Sequence, residues 1–314
     1  MGKVESNTPY DDVCRTLTVE CDDLVIPLIN ELFHENYSLQ DRIVRRANEH
    51  FLEQQGGAEE KRVTDSLFEI INNITQQAKK YHLECESSSS DGTILIRIFE
   101  YAAQIALESG IVEKGKLTVE FPHSAVIYLR SKKQPLRQME IIVKTPGGET
   151  AYNIPALYIK DYTMDAVFEK KLYFLIPFLI FNMENELSEI NENPDRLVAL
   201  KNVYAEMILR LEELVSEGQL TEFSYLEIRD MTNRVVQNLA RNYKNIRERI
   251  GNIMGGKVIV TEVSRARKKG REDEAVNIVK NMLQKGKTPE EIADLCNYAL
   301  DDILIVKERM LKKN

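Results

Sequence analysis

Residues 63–159 constrain the fold most, because short β-leaning runs lie on both sides of a single helical segment. Ile94, Ile98, Tyr101 and Ile105 recur at helical spacing, which predicts a helix over residues 94–108. β-Leaning runs occupy residues 63–68 and 81–86 before this helix, and residues 117–121, 124–129, 139–144 and 150–158 after it. Strands on both sides of a helix predict an α/β fold with a mixed sheet.

Both ends of the chain have helical patterns. An apolar stripe that begins near Pro9 predicts an N-terminal helix, whereas residues 40–62 are charged and are expected to be irregular. After Asp165 the pattern is helical almost throughout, and residues 195–216 and 221–250 are typical of an antiparallel helical pair. The α/β core is therefore expected to be followed by a helical C-terminal half.

Three domains are expected: an α/β domain over residues 1–182, a helical extension over 183–256, and a basic linker with a small helical module over 257–314. The lengths in this module fit a helix-turn-helix, and a capping box at residues 288–291 predicts the start of its first helix. Its second helix would begin with Leu300-Asp301-Asp302, which would repel DNA. A structural or oligomerising role is the alternative, so the C-terminal helices are a candidate homo-oligomer surface.

Charge and composition exclude several classes of protein. The net charge of −8 argues against a nucleic-acid coat protein, which would be basic overall, although an enzyme that touches DNA locally remains compatible. The basic residues of 265–271 are a candidate for contact with the DNA backbone, or else a solvated linker. The four cysteines form no CxxC pair, which argues against a zinc site and is typical of reduced thiols.

No membrane partner is expected from the apolar segments. Residues 1–12 lack the apolar segment of a signal peptide, and the apolar run of residues 172–181 is too short to span a bilayer. The sequence therefore predicts a cytoplasmic protein that does not bind a membrane.

Three acidic side chains of the predicted strands are candidates for one site. Residues two apart in a strand share a face, so Glu84 and Glu86 are expected to project to the same side. If the run that holds Asp65 lies beside them, three carboxylates converge. Proteins commonly hold Mg²⁺ by one or two carboxylates and a substrate phosphate, and such an ion can activate water for phosphodiester hydrolysis. The alternative is that these are ordinary solvent-facing acids on a half-exposed sheet.

Three segments follow one another in a recognisable order: Val63-Thr64-Asp65, Leu83-Glu84-Cys85-Glu86 and Arg97-Ile98-Phe99-Glu100-Tyr101. Their order resembles the PD-(D/E)xK nuclease superfamily, and more narrowly the recombination-promoting nuclease and transposase family of bacteria. That family has a hydrophobic residue before Asp, then Ile-Glu-x-Gln, then a helix with Arg and Tyr four residues apart. Residues 9–17 and 283–293 are similar to its two ends. The resemblance implies a mixed-sheet PD-(D/E)xK nuclease-like core.

The resemblance also implies roles for individual residues. Asp65 and Glu84 correspond to the two metal-binding acids, with Mg²⁺ or Mn²⁺ as the cofactor and DNA as the partner. Glu86 stands where the superfamily has Lys and this family commonly has Gln. A carboxylate cannot donate a hydrogen bond as Lys does, so Glu86 is a third ligand, a base, or a sign that activity has been lost.

Arg97 and Tyr101 share a helix face, because they lie four residues apart. As a functional pair they would contact a phosphate and position the carboxylates. The alternative is a surface ion pair for Arg97 and core packing for Tyr101. Glu31 is a weaker candidate for a further acid, with a solvated helix position as its alternative. His82 shares the face of Glu84 and is a candidate for lining the cleft, or else a surface or hydrogen-bonded residue.

The leading hypothesis is a metal-dependent DNA endonuclease that hydrolyses phosphodiester bonds and promotes recombination or accompanies a mobile element. The alternative is a catalytically silent nuclease fold that acts as a DNA- or protein-binding module, which the acid at position 86 and the negative net charge favour. A third hypothesis is an assembly protein built on the helices of residues 195–250.

Overall fold

The computed structural model describes residues 8–45, 49–53, 59–63, 66–87, 93–130 and 136–255, and from the last part of the chain 279, 280, 282, 283, 285, 287–289, 291, 292, 303 and 307. The chain divides into two compact units, Met1–Gly256 and Lys257–Asn314. Asp65 and the basic stretch of residues 265–271 lie outside the described residues.

A mixed sheet of six strands forms the centre of the first unit, in the order β1-β4-β5-β8-β10-β9. The β5–β8 and β8–β10 pairs are parallel, and the remaining pairs are antiparallel. The strands are β1 (Arg42–Arg45), β4 (Ser66–Ile71), β5 (Ala78–Glu86), β8 (His123–Tyr128), β9 (Gln138–Thr145) and β10 (Gly148–Tyr158). The prediction of an α/β fold with a mixed sheet is confirmed.

One helix, α3 (Ile94–Glu108), connects the parallel strands β5 and β8, as parallel neighbours require a long crossover. Its bounds match the helix predicted over residues 94–108. Between α3 and β8 lies a small separate hairpin, β6 (Ile111–Glu113) and β7 (Lys116–Thr118).

The prediction that residues 40–62 are irregular is wrong. β1 pairs with β4 at the edge of the sheet, and β2 (Glu49–Glu53) pairs with β3 (Glu59–Val63) as a separate hairpin. Edge strands commonly carry charged side chains, so their sequences lack the apolar alternation of a half-buried strand. The predicted turn around residues 54–57 lies outside the described residues.

Helices cover both faces of the sheet. On one face, Leu83 and Cys85 of β5 join a large buried core with α1 (Pro9–Glu20) and α2 (Asp22–Phe33). On the other face, Leu67 of β4 packs against Tyr101 and Ile105 of α3. β5 is therefore covered on both sides, and its polar side chains on the α3 side are enclosed.

Between residues 164 and 253 the chain is helical almost throughout, as the pattern after Asp165 predicts. It contains α4 (Met164–Glu169), a buried 3₁₀ segment (Tyr173–Glu186), α5 (Leu187–Glu192), α6 (Pro194–Ser216), α7 (Glu222–Leu239) and α8 (Lys244–Ile253). The single helix predicted over residues 221–250 is two helices, because α7 ends before a turn at residues 240–243. In the described part of the chain, no helix is both long and apolar enough to cross a membrane.

The second unit contains the predicted capping box. The Thr288 backbone N–H donates to Glu291 Oε2 (2.9 Å), and the Glu291 backbone N–H donates to Thr288 Oγ1 (3.2 Å). Val279, Ile292 and Ile303 form a small buried cluster in the same unit. Most of the predicted helix-turn-helix lies outside the described residues.

Candidate functional site

The candidate site is built on the side of β5 that faces α3. His82, Glu84 and Glu86 alternate along this strand and so project to one side. Glu84 is only 3% exposed and His82 is fully buried. The interpretation of Glu84 as a solvent-facing acid is therefore wrong, since α3 covers this part of the strand.

Arg97 of α3 joins the two glutamates. Its Nη2 atom lies 3.1 Å from Glu84 Oε2 and 3.3 Å from Glu86 Oε2. One guanidinium nitrogen therefore bridges two carboxylates that share a strand face. Arg97 reaches this position because it lies on the inward side of α3, one turn before the buried Tyr101.

His82 holds the other oxygen of Glu84. His82 Nε2 lies 2.9 Å from Glu84 Oε1, and His82 Nδ1 lies 3.0 Å from Ser124 Oγ. The Tyr152 hydroxyl of β10 lies 2.6 Å from Ser124 Oγ. We call Tyr152, Ser124, His82, Glu84, Arg97 and Glu86 the β5 polar network, because it crosses three strands and ends at the glutamates of β5.

The charges in the network keep Glu84 ionised. Burial alone would raise the pKa of its carboxyl group, but the hydrogen bond and charge of His82 and the positive charge of Arg97 outweigh burial and hold the pKa below its ordinary value. Near Glu86, burial raises the pKa of Asp11, hydrogen bonds from Thr8 oppose that rise, and the negative charge of Glu86 adds to it. The first turn of α1 is thus part of the electrostatic surroundings of the site.

Tyr101 contributes packing. It is buried with Leu67 and Ile105, and its ring meets the His82 ring edge-on, with the centroids 5.7 Å apart. This agrees with the interpretation of Tyr101 as a core residue that also supports the imidazole.

Glu31 belongs to a different group of residues. Its Oε1 atom accepts hydrogen bonds from Lys170 Nζ (2.6 Å) and from the Tyr162 hydroxyl (2.9 Å). We call Glu31, Tyr162 and Lys170 the Glu31 cluster. These contacts are not shared with the β5 polar network, so Glu31 is not one of the residues that converge on Arg97.

Ser124, His82 and Glu84 have the order of a hydroxyl, imidazole and carboxylate triad. Such a triad acts only when its hydroxyl can reach a substrate, and Ser124 and His82 are both fully buried. Within the described residues these three side chains therefore fix one another in place. Sequence reasoning missed Ser124 and Tyr152, because they reach His82 only through the pairing of β5 with β8 and of β8 with β10.

The chemistry of the donor set fits a divalent cation in one respect. Glu84 and Glu86 already converge on a single positive group, the Arg97 guanidinium, and two carboxylates suffice for Mg²⁺ when a phosphate completes the coordination. In this structure the Arg97 guanidinium occupies the position between the two carboxylates. In the part of the chain that the structure describes, no group of three or more His, Cys, Asp or Glu side chains is arranged to hold a metal.

Comparison of the chain with protein-family models, with curated proteins and with solved structures finds no match. The nuclease resemblance therefore depends on the motif residues themselves.

Proposed function

We propose that the protein is a metal-dependent nuclease of the PD-(D/E)xK type that hydrolyses phosphodiester bonds in DNA. The observation that carries this proposal is the convergence of Glu84 and Glu86 on one cationic group at the end of β5, under a helix that supplies Arg97. A buried carboxylate that keeps its charge is typical of functional sites.

The residues that would hold Mg²⁺ or Mn²⁺ are Glu84 and Glu86, joined by Asp65 as the resemblance implies. When bound, such an ion lowers the pKa of a water molecule and neutralises charge on a phosphate. Arg97 would have to release the carboxylates for the ion to bind, and its guanidinium would then pair with a phosphate. His82 and Ser124 would keep the Glu84 carboxylate in one orientation.

The order of elements is a second support for the proposal. Helix α1 precedes the antiparallel pair β4–β5, and α3 then leads to β8, parallel to β5. In this order, Glu84 and Glu86 lie at the end of a central strand and beside α3, which is the position that the resemblance implies for the metal-binding acids. A role in recombination or in a mobile element is proposed on the family resemblance alone.

The proposal is tested by nicking of supercoiled plasmid in Mg²⁺, in Mn²⁺ and in EDTA. We expect wild type to nick only with metal, and Glu84→Gln and Asp65→Asn to lose the activity. Glu31→Gln is the matched control, because it neutralises a paired glutamate outside the β5 polar network, and it should nick like wild type. Nicking that persists in EDTA, or in Glu84→Gln, would contradict the proposal.

One observation favours a second candidate, a catalytically silent nuclease fold that binds DNA or protein. Both oxygens of Glu84 are already engaged, Oε1 by His82 and Oε2 by Arg97, and Glu86 stands in the position where the resemblance leads one to expect Lys or Gln. Calorimetric titration with Mn²⁺ separates the two candidates. Saturable binding that Glu84→Gln abolishes and Glu31→Gln retains favours the nuclease, and no binding by a folded wild type favours the silent module.

A further inference from the structure

The β6–β7 hairpin stands apart from the sheet. Its two-residue turn, Lys114-Gly115, has positive φ at both positions (48° and 77°), as a type I′ turn requires. Glu113 pairs with Lys116, Val112 with Leu117 and Ile111 with Thr118. Among the described strands, β6 and β7 pair only with each other.

Every residue from 111 to 120 is exposed, although four of the ten are large and apolar. Val112 is 73% exposed, Ile111 60% and Leu117 52%. An isolated two-stranded hairpin is marginally stable in water unless a third strand or a helix covers it. An open, apolar strand edge also invites pairing with another chain. In a single copy of the chain, the apolar side chains of the hairpin are therefore left in contact with water.

The two faces of the hairpin differ in character. Because Val112 and Leu117 pair across the hairpin, their side chains lie on one face, and Val119, which follows the end of β7, joins them when the strand is extended. Glu113 and Lys116 lie on the other face, which also carries Ile111 and Thr118. Glu120 follows Lys116 at an even interval of four residues, so it lies on this second face, here called the charged face, when the strand is extended. A further strand could therefore pair with the hairpin through apolar contacts on one face and through contacts between opposite charges on the other.

The outer edge of β7 has a defined set of free backbone groups. In a hairpin with a two-residue turn, the residues that flank the turn exchange both backbone hydrogen bonds, here Glu113 and Lys116. The next residue, Leu117, therefore directs its N–H and C=O away from β6, and so does Val119 if the extended conformation continues. These groups are placed to pair with a further antiparallel strand.

We propose that this further strand is β7 of a second copy of the same chain, related by a two-fold axis at Thr118. In that register Leu117 lies opposite Val119 of the second copy and exchanges backbone hydrogen bonds with it. Lys116 lies opposite Glu120 of the second copy on the charged face. Symmetry repeats each contact, so the pairing contains two Lys116–Glu120 ion pairs.

Charge complementarity identifies the occupant as a second copy. Lys116 and Glu120 are equidistant from Thr118, so an antiparallel copy of the same segment brings opposite charges together at both places. These two positions form a pair without mutual hydrogen bonds, in which side chains approach most closely. The product is a four-stranded antiparallel sheet whose apolar face contains Val112, Leu117 and Val119 of both copies, which reaches the strand number that a stable sheet needs.

The test is the molar mass of the full chain in solution, by sedimentation equilibrium over a range of concentrations. We expect wild type to be a dimer, and Lys116→Glu and Glu120→Lys each to weaken the dimer about tenfold or more, because both ion pairs become repulsive. An equimolar mixture of the two variants should form heterodimers, and the double variant K116E/E120K should dimerise alone. Lys114→Glu, the matched charge change in the turn, should leave the dimer intact.

Each other outcome overturns the proposal. A wild type that has the mass of one chain at every concentration excludes the dimer. A dimer that survives both single variants uses another surface, such as the C-terminal helices. Loss of the dimer in Lys114→Glu but not in Lys116→Glu indicates a register centred on Leu117. Because all three positions are exposed, each variant should keep its fold, and circular dichroism checks this.

Discussion

The β5 polar network and the Glu31 cluster are built on the same plan. In each, a glutamate accepts a hydrogen bond from a ring-bearing side chain and pairs with a cation: Glu84 with His82 and Arg97, and Glu31 with Tyr162 and Lys170. In both, these partners hold the pKa of the glutamate below its ordinary value. The exposed fraction of the side chain is 4% for Glu84 and 28% for Glu31.

Burial is therefore the feature that separates a candidate site from an ordinary ion pair. A charge removed from water loses its hydration, and an ion pair recovers that loss only when several partners have good geometry. The Glu31 pair stays partly in water, where ion pairs contribute little. The β5 polar network keeps charged side chains buried in a place where apolar residues would pack without the cost of lost hydration. This is the physical reason for treating the network as a candidate site.

Removal of the cation should give the largest difference in stability between the β5 polar network and the Glu31 cluster. Arg97→Met leaves two carboxylates facing each other with Glu84 buried, so we expect a loss of about 3 kcal/mol in the free energy of unfolding. Lys170→Met removes a half-exposed partner and should cost less than about 1 kcal/mol. Urea unfolding of both variants measures the difference. Equal losses would show that burial does not distinguish the two groups.

Removal of the hydrogen-bond donors, His82 in one group and Tyr162 in the other, should give a smaller difference in stability. His82→Leu leaves Glu84 Oε1 without its buried partner, whereas Ser124 keeps the Tyr152 hydroxyl, and we expect a cost of about 1–3 kcal/mol. Tyr162→Phe removes a donor that water replaces, with a cost of at most about 1 kcal/mol. His82→Gln keeps an N–H group near Glu84 and should recover part of the loss. If His82→Gln were as unstable as His82→Leu, the ring packing against Tyr101 would matter more than the hydrogen bond.

Local patterns predicted much of the fold. The helical spacing of Ile94, Ile98 and Ile105 predicts α3 with its observed bounds. The β1 strand was missed because Arg42 and Arg45 occupy an edge position, where the partner strand and not the side-chain pattern determines the conformation.

The site was predictable only where it depends on local periodicity. Alternation places Glu84 and Glu86 on one face of β5, and the helical period places Arg97 one turn before Tyr101. The rest depends on contacts distant in sequence. Ser124 lies beside His82 because β8 pairs with β5 in a particular register, and Tyr152 reaches Ser124 from β10. No local signal encodes such a register, nor the burial of Glu84 under α3.

The smallest expected effect is a pH dependence of the stability that the Glu31 cluster contributes. Burial alone would raise the pKa of Glu31, but hydrogen bonds from Lys170 and Tyr162 outweigh it, so the folded pKa lies below the ordinary value of 4.5. The unfolded chain therefore binds the proton first as pH falls. The stabilisation from this carboxylate is fully present above pH 4.5 and is lost as pH falls through the lower, folded pKa.

Glu31→Gln should remove this stabilisation and its pH dependence together. We expect the variant to be less stable than wild type by less than about 1 kcal/mol at pH 7, and the difference to shrink as the pH is lowered to about 3. Urea unfolding at both pH values measures it, with Glu169→Gln as the control for the loss of one exposed negative charge nearby. A difference that grows at low pH would mean that the folded pKa of Glu31 lies above its ordinary value, and that its partners do not stabilise the charge.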